Sequence, residues 1–409
     1  MTAFTPSSSE DVLSVMQWAL AEETPLEIVG HGSKRGIGRP LQTEHVLDLS
    51  ALTGVTLYEP EELVLSARAG TPLAEIESLL ARNGQQFAFE PMDYGPLHGN
   101  PPGKGTLGGV LAANLSGPRR LKAGAARDHI LGIHAVTGRA EAFKSGGRVV
   151  KNVTGYDLSK GLAGSWGTLA AVTDLTFKVL PAAETETTLA IRGLIDDMAI
   201  AAMALALGSN CEVSSAAHLP EGVARHVLDG ALGSDAATLL RVEGFGPSVR
   251  YRIGKLVELL GKAGPVEQIE GDRATALWRE IRDCRPFADG TQKPVWRVSV
   301  APSEAAKLAL AIRMETPAEA FYDWQGGLVW LRMEDDPEAE ALRHTIRRFG
   351  GGHATLVRAS PAWRAAVQVF QPQPAALAGL SARLKEQFDP KGILGPGRLS
   401  IETAGTRAQ

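Results

Sequence analysis

Glycine and small hydroxyl residues recur between short apolar runs throughout residues 106–173. The pattern begins at Thr106-Leu107-Gly108-Gly109 and ends just after Gly164-Ser165-Trp166-Gly167. Glycine is favoured where the backbone must take a positive φ or lie close against another group. Because the pattern is sustained over a long stretch, it predicts a cleft that is lined by backbone and holds an extended ligand.

Composition limits the classes of protein to which the chain can belong. Its 409 residues suffice for two or three domains, and 44% hydrophobic with 22% charged residues is ordinary for a globular protein. The net charge of −4 provides no basic surface for nucleic acid or an anionic membrane. No apolar run approaches the roughly 18 residues of a membrane helix, and the first residues lack the pattern of a signal peptide. We therefore expect a cytoplasmic protein.

The two cysteines, Cys211 and Cys284, are far apart in the sequence and indicate free thiols in a reducing compartment. An iron–sulfur cluster requires about four thiolates, so the chain cannot hold one alone. No group of His, Asp and Glu residues has the spacing of metal ligands, and we expect no metal. If the chain carries out redox chemistry, its electrons must leave through dioxygen, a soluble acceptor or a partner subunit.

A glycine-rich loop, Gly30-His31-Gly32-Ser33-Lys34, follows a strand predicted at residues 26–29. A Rossmann dinucleotide fingerprint would need a third glycine where Arg35 stands, and a helix after it. The sequence instead predicts a second strand at residues 45–49. The loop therefore indicates a nest of backbone N–H groups, with Ser33 and Lys34 beside it, that binds a phosphate. A solvent-facing hairpin loop is the alternative.

The segment Gly103-Lys104-Gly105-Thr106 resembles the phosphate-binding loop of nucleoside triphosphatases. The match fails because His98 occupies the position of the motif's first glycine, and because Gly105 follows the lysine where Ser or Thr is required. That activity is therefore excluded. At Gly108 and Gly109 we expect a helix to begin with its free N–H groups facing a bound ligand, and a tightly packed helix start is the alternative.

Short strands and helices in residues 1–181 follow an order typical of an α+β fold, not of a doubly wound sheet. Residues 185–409 are expected to form a second α+β domain, whose tail at 389–400 packs back near the first. In this second part, apolar periodicity predicts helices at residues 195–207, 249–260, 274–283, 304–313 and 337–349. Strands are predicted at residues 187–191, 237–242, 295–300 and 327–333.

Several motifs, in their order and spacing, resemble the FAD-binding domain of the vanillyl-alcohol oxidase and p-cresol methylhydroxylase superfamily. They are Gly30-His31-Gly32-Ser33 between two strands, Pro91, Thr106-Leu107-Gly108-Gly109, residues 114–117, Arg127-Asp128, Gly155-Tyr156-Asp157 and residues 164–169. Within that superfamily, the chain is similar to the FAD-binding E subunits of bacterial glycolate oxidases over nearly its whole length. This similarity is carried by residues 151–158, 296–300, 323–330, 352–358 and 388–399.

The resemblance implies non-covalent FAD as the cofactor, held by a two-subdomain FAD-binding fold that an α+β cap domain follows. In the family, the first loop wraps the pyrophosphate and the second segment lines the rest of the cofactor. Some relatives attach flavin through a histidine or cysteine, but here Gly32 stands where a linking histidine would lie, and His31 is offset by one position. The implied cofactor-binding residues are Gly30, His31, Gly32, Ser33, Lys34, Pro91, Thr106, Gly108, Gly109, Asn114, Ser116, Gly117, Arg127, Asp128, Gly167, Thr168 and Val172.

The resemblance also implies an FAD-dependent oxidoreductase that acts on CH–OH groups within a glycolate oxidase complex. There, electrons from a 2-hydroxyacid such as glycolate or D-lactate pass through flavin to an iron–sulfur subunit, and glycolate becomes glyoxylate. The implied partners are that subunit and a larger paralogous FAD subunit, which would attach the chain peripherally to the inner membrane. The chain lacks the Glu-His-Gly and Gly-Asp-Gly-Asn-x-His signatures of larger 2-hydroxyacid dehydrogenases, so electron relay remains open beside substrate oxidation. A free-standing FAD oxidase and a non-catalytic assembly subunit are the alternatives.

A 2-hydroxyacid would need an arginine to bind its carboxylate. Arg297, in an apolar strand, is the first candidate and Arg358 the second. The alternative for Arg297 is an edge-strand arginine whose stem packs on apolar surface. His353 is a candidate base because imidazole titrates near neutrality, and a loop histidine is the alternative. Trp324 and Trp330 are expected in the core.

Overall fold

The computed structural model describes residues 2–148 and 155–399. The part of the predicted motif 151–158 that precedes Gly155 lies outside the described residues. Helices and β-sheets are both abundant, and the α+β class predicted from the sequence is confirmed. The strands up to residue 181 form three sheets, whereas those from residue 185 onward form one large sheet.

The strands of the first half are β1 (Thr2–Phe4), β2 (Leu26–Val29), β3 (His45–Asp48), β4 (Val55–Glu59), β5 (Val64–Arg68), β6 (Gln85–Gln86), β7 (Ile130–Thr137), β8 (Ala142–Gly146), β9 (Ala170–Lys178) and β10 (Leu180–Pro181). Its helices are α1 (Ser9–Ala21), α2 (Leu73–Arg82), α3 (Leu107–Ala113), α4 (Arg120–Ala123), α5 (Ala126–His129) and α6 (Leu158–Leu162). The sheets have the strand orders β1-β3-β2, β4-β5-β9-β7-β8 and β10-β6.

The glycine-rich loop at residues 30–34 begins where β2 ends. Strands β2 and β3 are parallel neighbours, so the chain must cross over between them and cannot form a hairpin. The hairpin alternative for this loop is therefore wrong.

Helix α1 packs against strands of both the three-stranded and the five-stranded sheets, and its apolar core includes residues from near the end of the described chain. Met16 and Leu26 share this core with Ile393 and Leu394. Leu26 also forms a β-bridge with Leu394, and the Leu26 N–H donates to the Ile393 carbonyl at 2.7 Å. The segment after residue 389 is thus paired directly with the first half.

The second half contains the strands β11 (Thr185–Arg192), β12 (Ser215–Leu219), β13 (Ala237–Gly244), β14 (Val266–Glu270), β15 (Val295–Val300), β16 (Ala318–Asp323), β17 (Leu328–Met333) and β18 (Gly352–Arg358). Its helices are α7 (Asp196–Leu207), α8 (Gly246–Leu260), α9 (Gly271–Arg282), α10 (Ala305–Glu315), α11 (Ala339–Arg348), α12 (Pro361–Ala366) and α13 (Ala375–Phe388). All eight strands pair antiparallel in the order β14-β11-β13-β12-β16-β17-β15-β18.

The two faces of this eight-stranded sheet bury different cores. Because side chains alternate along a strand, Val329 and Leu331 of β17 pack with helices α7, α8, α10 and α11, whereas Trp330 points to the opposite face. Trp330 belongs to a second apolar cluster that continues into the first half through residues such as Phe89 and Leu97. The large sheet therefore packs against the first half with one face.

A buried ionic network joins the two halves. Arg241 of β13 donates to both carboxylate oxygens of Glu90, at 2.9 and 2.8 Å, and its guanidinium lies 4.7 Å from the Trp278 ring centroid. Arg119 bridges Glu90 and Glu243 from the other side. Burial alone would raise the pKa of Glu243, but Arg241 and Arg119 outweigh it and lower that pKa to about 2.

Candidate functional site

A cleft opens between the loop after β2, the helix α3 and the segment that leads into β9. It encloses about 810 Å³ outside the protein atoms, part of which is open to solvent. It is lined by Ile28, Val29, Gly30, His31, Gly32, Ser33, Lys34, Arg35, Leu49, Ala69, Thr106, Gly108, Gly109, Leu111, Ala112, Ala113, Leu162, Ser165, Trp166, Gly167, Ala170, Val172 and Arg398. Most of these residues are small or apolar, so backbone forms much of the wall.

Glycine is required in the cleft wall for two separate reasons. Gly32 has a φ of +71°, a conformation that residues with a Cβ rarely adopt. At Gly30, a Cβ would lie 2.7 Å from Thr106 Oγ1, which is closer than non-bonded atoms approach. Thr106 is itself held because its Oγ1 caps helix α3 by accepting from the Gly109 N–H at 3.3 Å. The first loop and the start of α3 are therefore packed directly together.

The first N–H groups of α3 are not free to face a ligand. Those of Leu107 and Gly108 donate to backbone carbonyls at 3.0 and 2.8 Å, and that of Gly109 donates to the Thr106 cap. The expectation of free N–H groups is wrong, and the tightly packed helix start is what the structure has.

Lys34 is a cation in this cleft without a carboxylate beside it. Its Nζ donates to Ser33 Oγ at 3.3 Å, and no acidic side chain lies within 4.0 Å of Nζ in residues 2–148 and 155–399. Burial lowers the pKa of Lys34 to about 8, and the distant Asp93 offsets this only in part. A Cβ on Gly109 would lie 3.2 Å from the ammonium, so the missing side chain leaves room there for an anion.

Arg398 reaches the cleft from the end of the described chain. Its Nη2 donates to the carbonyls of Lys34 and Ile37, at 3.4 and 3.3 Å, and its Nη1 lies 3.5 Å from Glu27 Oε1. The guanidinium lies 5.7 Å from the Trp166 ring centroid, and its buried Nε has no partner among the described residues. The tail therefore supports the first loop and also lines the cleft.

Ten of the seventeen cofactor-binding residues predicted from the sequence line this cleft. They are Gly30, His31, Gly32, Ser33, Lys34, Thr106, Gly108, Gly109, Gly167 and Val172. The other seven are Pro91, Asn114, Ser116, Gly117, Arg127, Asp128 and Thr168, which lie outside the lining.

Residues of this second group shape the loops behind the cleft. Asn114 ends α3 with a φ of +50° and accepts from the Arg127 N–H at 3.0 Å. Asp128 accepts from the Ala125 N–H at 2.9 Å, and Thr168 donates to the Ser165 carbonyl at 2.7 Å. Ser116 accepts from Arg120, Pro91 is buried, and Gly117 packs against the Glu90 carbonyl.

The three candidates for substrate chemistry lie in different surroundings. His353 is exposed near the start of the edge strand β18, opposite Ser299. Arg358 is buried, and its guanidinium donates to the carbonyls of Lys293 and Phe287 at 2.8 and 2.6 Å. Only Arg297 is free of such bonds within the described ranges, and its guanidinium lies 4.8 Å from the Trp324 ring centroid.

Several residues that line the cleft were not predicted from the sequence, among them Trp166, Arg35 and Arg398. Trp166 stands inside the glycine motif at 164–169 and has a φ of +54°. Arg398 belongs to the tail motif at 388–399, where an arginine beside Gly397 was the available signal. The distance of that motif from the first loop in the sequence hid its part in the site.

Comparison with known proteins identifies the family. Residues 2–146 match the family model of the FAD binding domain. Over 397 residues, the chain is 35% identical to the glycolate oxidase subunit GlcE of Escherichia coli (strain K12), covering 96% of this chain and 98% of that subunit. The chain belongs to the GlcE family. This confirms the resemblance found in the sequence.

Two further similarities agree with membership of the GlcE family. The chain is 32% identical over 269 residues to the glycolate oxidase subunit GlcD of Bacillus subtilis (strain 168), covering 65% of this chain and 52% of GlcD. The structure of p-cresol methylhydroxylase with substrate bound superposes with a TM-score of 0.72 over 98% of this chain and 88% of that chain, at 16% identity. The last comparison shows the same fold.

As a GlcE family member, the chain is an FAD-dependent oxidoreductase that acts on CH–OH groups, and its cofactor is FAD. The cleft fits the cofactor chemically, because Lys34, the glycine cradle at Gly30 and Gly109, and the unpartnered Nε of Arg398 suit a pyrophosphate. No helix of the described residues is long and apolar enough to span a membrane.

Replacing Asp389 with alanine is expected to weaken FAD binding about tenfold, because this buried carboxylate holds the tail that carries Arg398. Asp389 accepts from the N–H groups of Ile393 and Leu394 at 3.0 and 2.8 Å and pairs with Lys385. Titration of flavin fluorescence measures the affinity. Glu386→Ala, an exposed change in the helix that ends just before Asp389, is the control, and equal affinities in both variants would contradict the prediction.

Proposed function

We propose that this chain is the FAD-binding subunit of a glycolate oxidase complex. It passes electrons from a 2-hydroxyacid, glycolate or D-lactate, through flavin to a partner iron–sulfur subunit, and glycolate is converted to glyoxylate. The observation that carries this proposal is the full-length similarity to a protein named as a subunit of glycolate oxidase. The partners are an iron–sulfur subunit and a larger paralogous FAD subunit, for which the similarity to GlcD is the support.

The low cysteine content of the chain bears on the route that the electrons take. Oxidation of glycolate to glyoxylate releases two electrons and two protons, and FAD, when bound, supplies the two-electron acceptor. The chain has two cysteines, both buried, and an iron–sulfur cluster requires about four thiolates. The chain therefore cannot store the electrons in a cluster of its own, and the acceptor in this proposal is the iron–sulfur subunit. We place the complex at the cytoplasmic side of the inner membrane, attached through its partners.

The residues of the cleft hold the cofactor by charge and by close backbone approach. Lys34 and the N–H groups of residues 30–34 would hold the pyrophosphate, and the small side chains of α3 would leave room for the rest of the cofactor. Arg398 fixes the loop through the Lys34 and Ile37 carbonyls. Because Gly32 occupies the position of a linking histidine, the FAD is dissociable.

Flavin absorbance tests the proposal directly. The chain is purified alone and together with its two partner subunits, loaded with FAD, and mixed with glycolate without oxygen. We expect a yellow protein whose flavin is bleached by glycolate in the complex and is reoxidised by a dye acceptor only when the iron–sulfur subunit is present. A chain that takes up no FAD would overturn the proposal. An isolated chain that bleaches with glycolate and turns over rapidly in air would instead be a free-standing oxidase.

A further inference from the structure

Two arginines from different halves of the molecule meet at one tryptophan. Arg120 is the first residue of α4, and Arg297 lies in β15 of the large sheet. Their guanidinium carbons lie 5.0 and 4.8 Å from the ring centroid of Trp324, which follows β16. Both side chains are only partly exposed, and each guanidinium lies within cation–π range of the same ring.

Neither arginine has a carboxylate partner within the described parts of the chain. Arg120 donates to Ser116 Oγ at 3.3 Å, but no acidic oxygen lies within 4.0 Å of either guanidinium. The neighbouring Arg119 and Arg282 differ, because each forms an ion pair with a carboxylate. Burial, followed by the charge of Arg297, lowers the pKa of Arg120, which is the direction expected for a cation that lacks its anion.

Trp324 is held firmly in place between the two halves. Its Nε1 donates to the Gly117 carbonyl at 2.9 Å, and its backbone N–H donates to Asp323 Oδ1 at 2.7 Å. Trp324 and Gln325 have φ values of +52° and +62°, a conformation that costs non-glycine residues roughly 1–3 kcal/mol each. Such strain in two successive residues persists where the position of a side chain matters, as at a ligand site.

Two carboxylates act on this arrangement from a distance, Asp128 on Arg120 and Asp323 on Arg297, but neither forms an ion pair with these arginines among the described residues. Asp323 is buried, and its carboxylate accepts a hydrogen bond from the Trp324 N–H. Burial raises the pKa of Asp323 to about 7, so near neutrality it is only partly ionised. Tyr94 lies within electrostatic range of Arg297, and its hydroxyl makes no hydrogen bond to a described residue. The surroundings therefore offer an anion two guanidinium forks and a phenolic donor.

We propose that Arg120 and Arg297 together bind the carboxylate of a small 2-hydroxyacid over the Trp324 ring. A planar carboxylate matches the fork of a guanidinium, and its two oxygens allow each arginine to donate to it. Gly117, to which Trp324 is bonded, follows the cleft-lining Ala113 by four residues, so the two sites share one loop. The inference rests on the proposed function for the identity of the acid.

Calorimetric titration of the whole protein with glycolate, with and without bound FAD, tests this carboxylate site. Arg120→Met and Arg297→Met keep most of the side-chain stem but remove the charge, and each is expected to weaken glycolate binding at least about 30-fold. Arg297→Lys restores the charge without the fork and should recover part of the loss. Arg383→Met, an exposed arginine on α13, is the control and should bind as the wild type does. FAD affinity and circular dichroism should be unchanged in all four variants.

The outcomes separate this site from the proposed function. A wild type that binds FAD but not glycolate would overturn the carboxylate site and leave the cofactor assignment intact. Equal glycolate affinity in the wild type and both methionine variants, or tighter binding of inorganic phosphate than of glycolate, would overturn it as well. A protein that takes up no FAD refutes the proposed function, whereas loss of glycolate binding in the FAD-free variants would still support the carboxylate site.

Discussion

Replacing Lys34 with methionine is expected to weaken FAD binding about 30- to 100-fold, while the FAD-free protein becomes no less stable. Methionine keeps an unbranched stem of similar length and removes only the ammonium. In the free protein that ammonium has no carboxylate within 4.0 Å in the described residues, so its removal relieves burial of an unpaired charge, worth on the order of 1 kcal/mol. In the FAD-bound protein, the same change would remove the proposed contact between the ammonium and the pyrophosphate.

This substitution should weaken FAD binding without destabilising the FAD-free protein. Measuring both quantities therefore distinguishes a lost cofactor contact from a general loss of structure. FAD affinity is followed by flavin fluorescence, and stability of the FAD-free protein by urea unfolding. Lys104→Met, an exposed lysine on the nearby glycine- and proline-rich loop, is the matched control and should change neither quantity. A Lys34→Met protein that binds FAD as tightly as the wild type would contradict a role for this lysine at the pyrophosphate.

The charge of Lys34 should make FAD affinity depend on pH. The pKa of Lys34 in the free protein is lowered to about 8, so above that pH the free site loses its charge and binding must take up a proton. The affinity of the wild type should therefore fall above pH 8, by up to about tenfold per pH unit, and that of Lys34→Met should not. The FAD-free wild type should gain stability between pH 8 and about 10, because there the unfolded chain binds more protons than the folded one.

Replacing Arg241 with methionine is expected to lower the free energy of unfolding by about 3–5 kcal/mol. The guanidinium is 2% exposed and donates to both oxygens of Glu90, so its removal leaves a buried carboxylate without its main partner. Arg119 still contacts Glu90, but it also holds Glu243. Urea unfolding at neutral pH measures the loss.

A second substitution separates the lost ion pair from lost packing. Glu90→Gln in the Arg241→Met background removes the stranded charge, and the double variant should recover more than half of the lost stability. If Arg241→Met alone costs less than about 1 kcal/mol, or the double variant is as unstable as the single one, the network is not what fastens the halves together.

Sequence patterns were most informative where a single local requirement determined the backbone. The glycines of the loop at residues 30–34 and of the start of α3 could be recognised because positive φ and close approach exclude other residues. The strand β15 was predicted with its observed bounds, since apolar residues predominate in its short run. The direction of β3 could not be predicted, because the residues between two strands do not show whether the strands are parallel.

Four strands of the large sheet and the helices α12 and α13 were not predicted from the sequence. In β12, Ser215–Leu219, all five residues are buried, so the alternation that marks a half-exposed strand is absent. Strand β18 begins with Gly352 and His353, and its position depends on pairing with β15. Such strands are specified by their neighbours in the sheet, which a local pattern does not contain.

The candidate site likewise contains some residues that the sequence reveals and others that it does not. Its glycine loops are local features, whereas Arg398 and the pair of Arg120 with Arg297 come together only through long-range folding. Arg358 shows the reverse case, because an arginine that suited a substrate by sequence proves to be bonded to the carbonyls of Lys293 and Phe287. The sequence alone does not distinguish an arginine that donates to backbone carbonyls from one that makes no such hydrogen bond.

The contact between Arg398 and the Lys34 carbonyl has a consequence for biosynthesis. These residues are 364 positions apart in the sequence. The ribosome therefore makes the loop at residues 30–34 long before it makes the arginine that contacts this loop. A nascent chain that already displays the glycine loop therefore lacks the arginine and the β-bridge that hold it. Cofactor loading should follow synthesis of residue 398, and an arrest of translation before that residue should yield a polypeptide that retains flavin poorly.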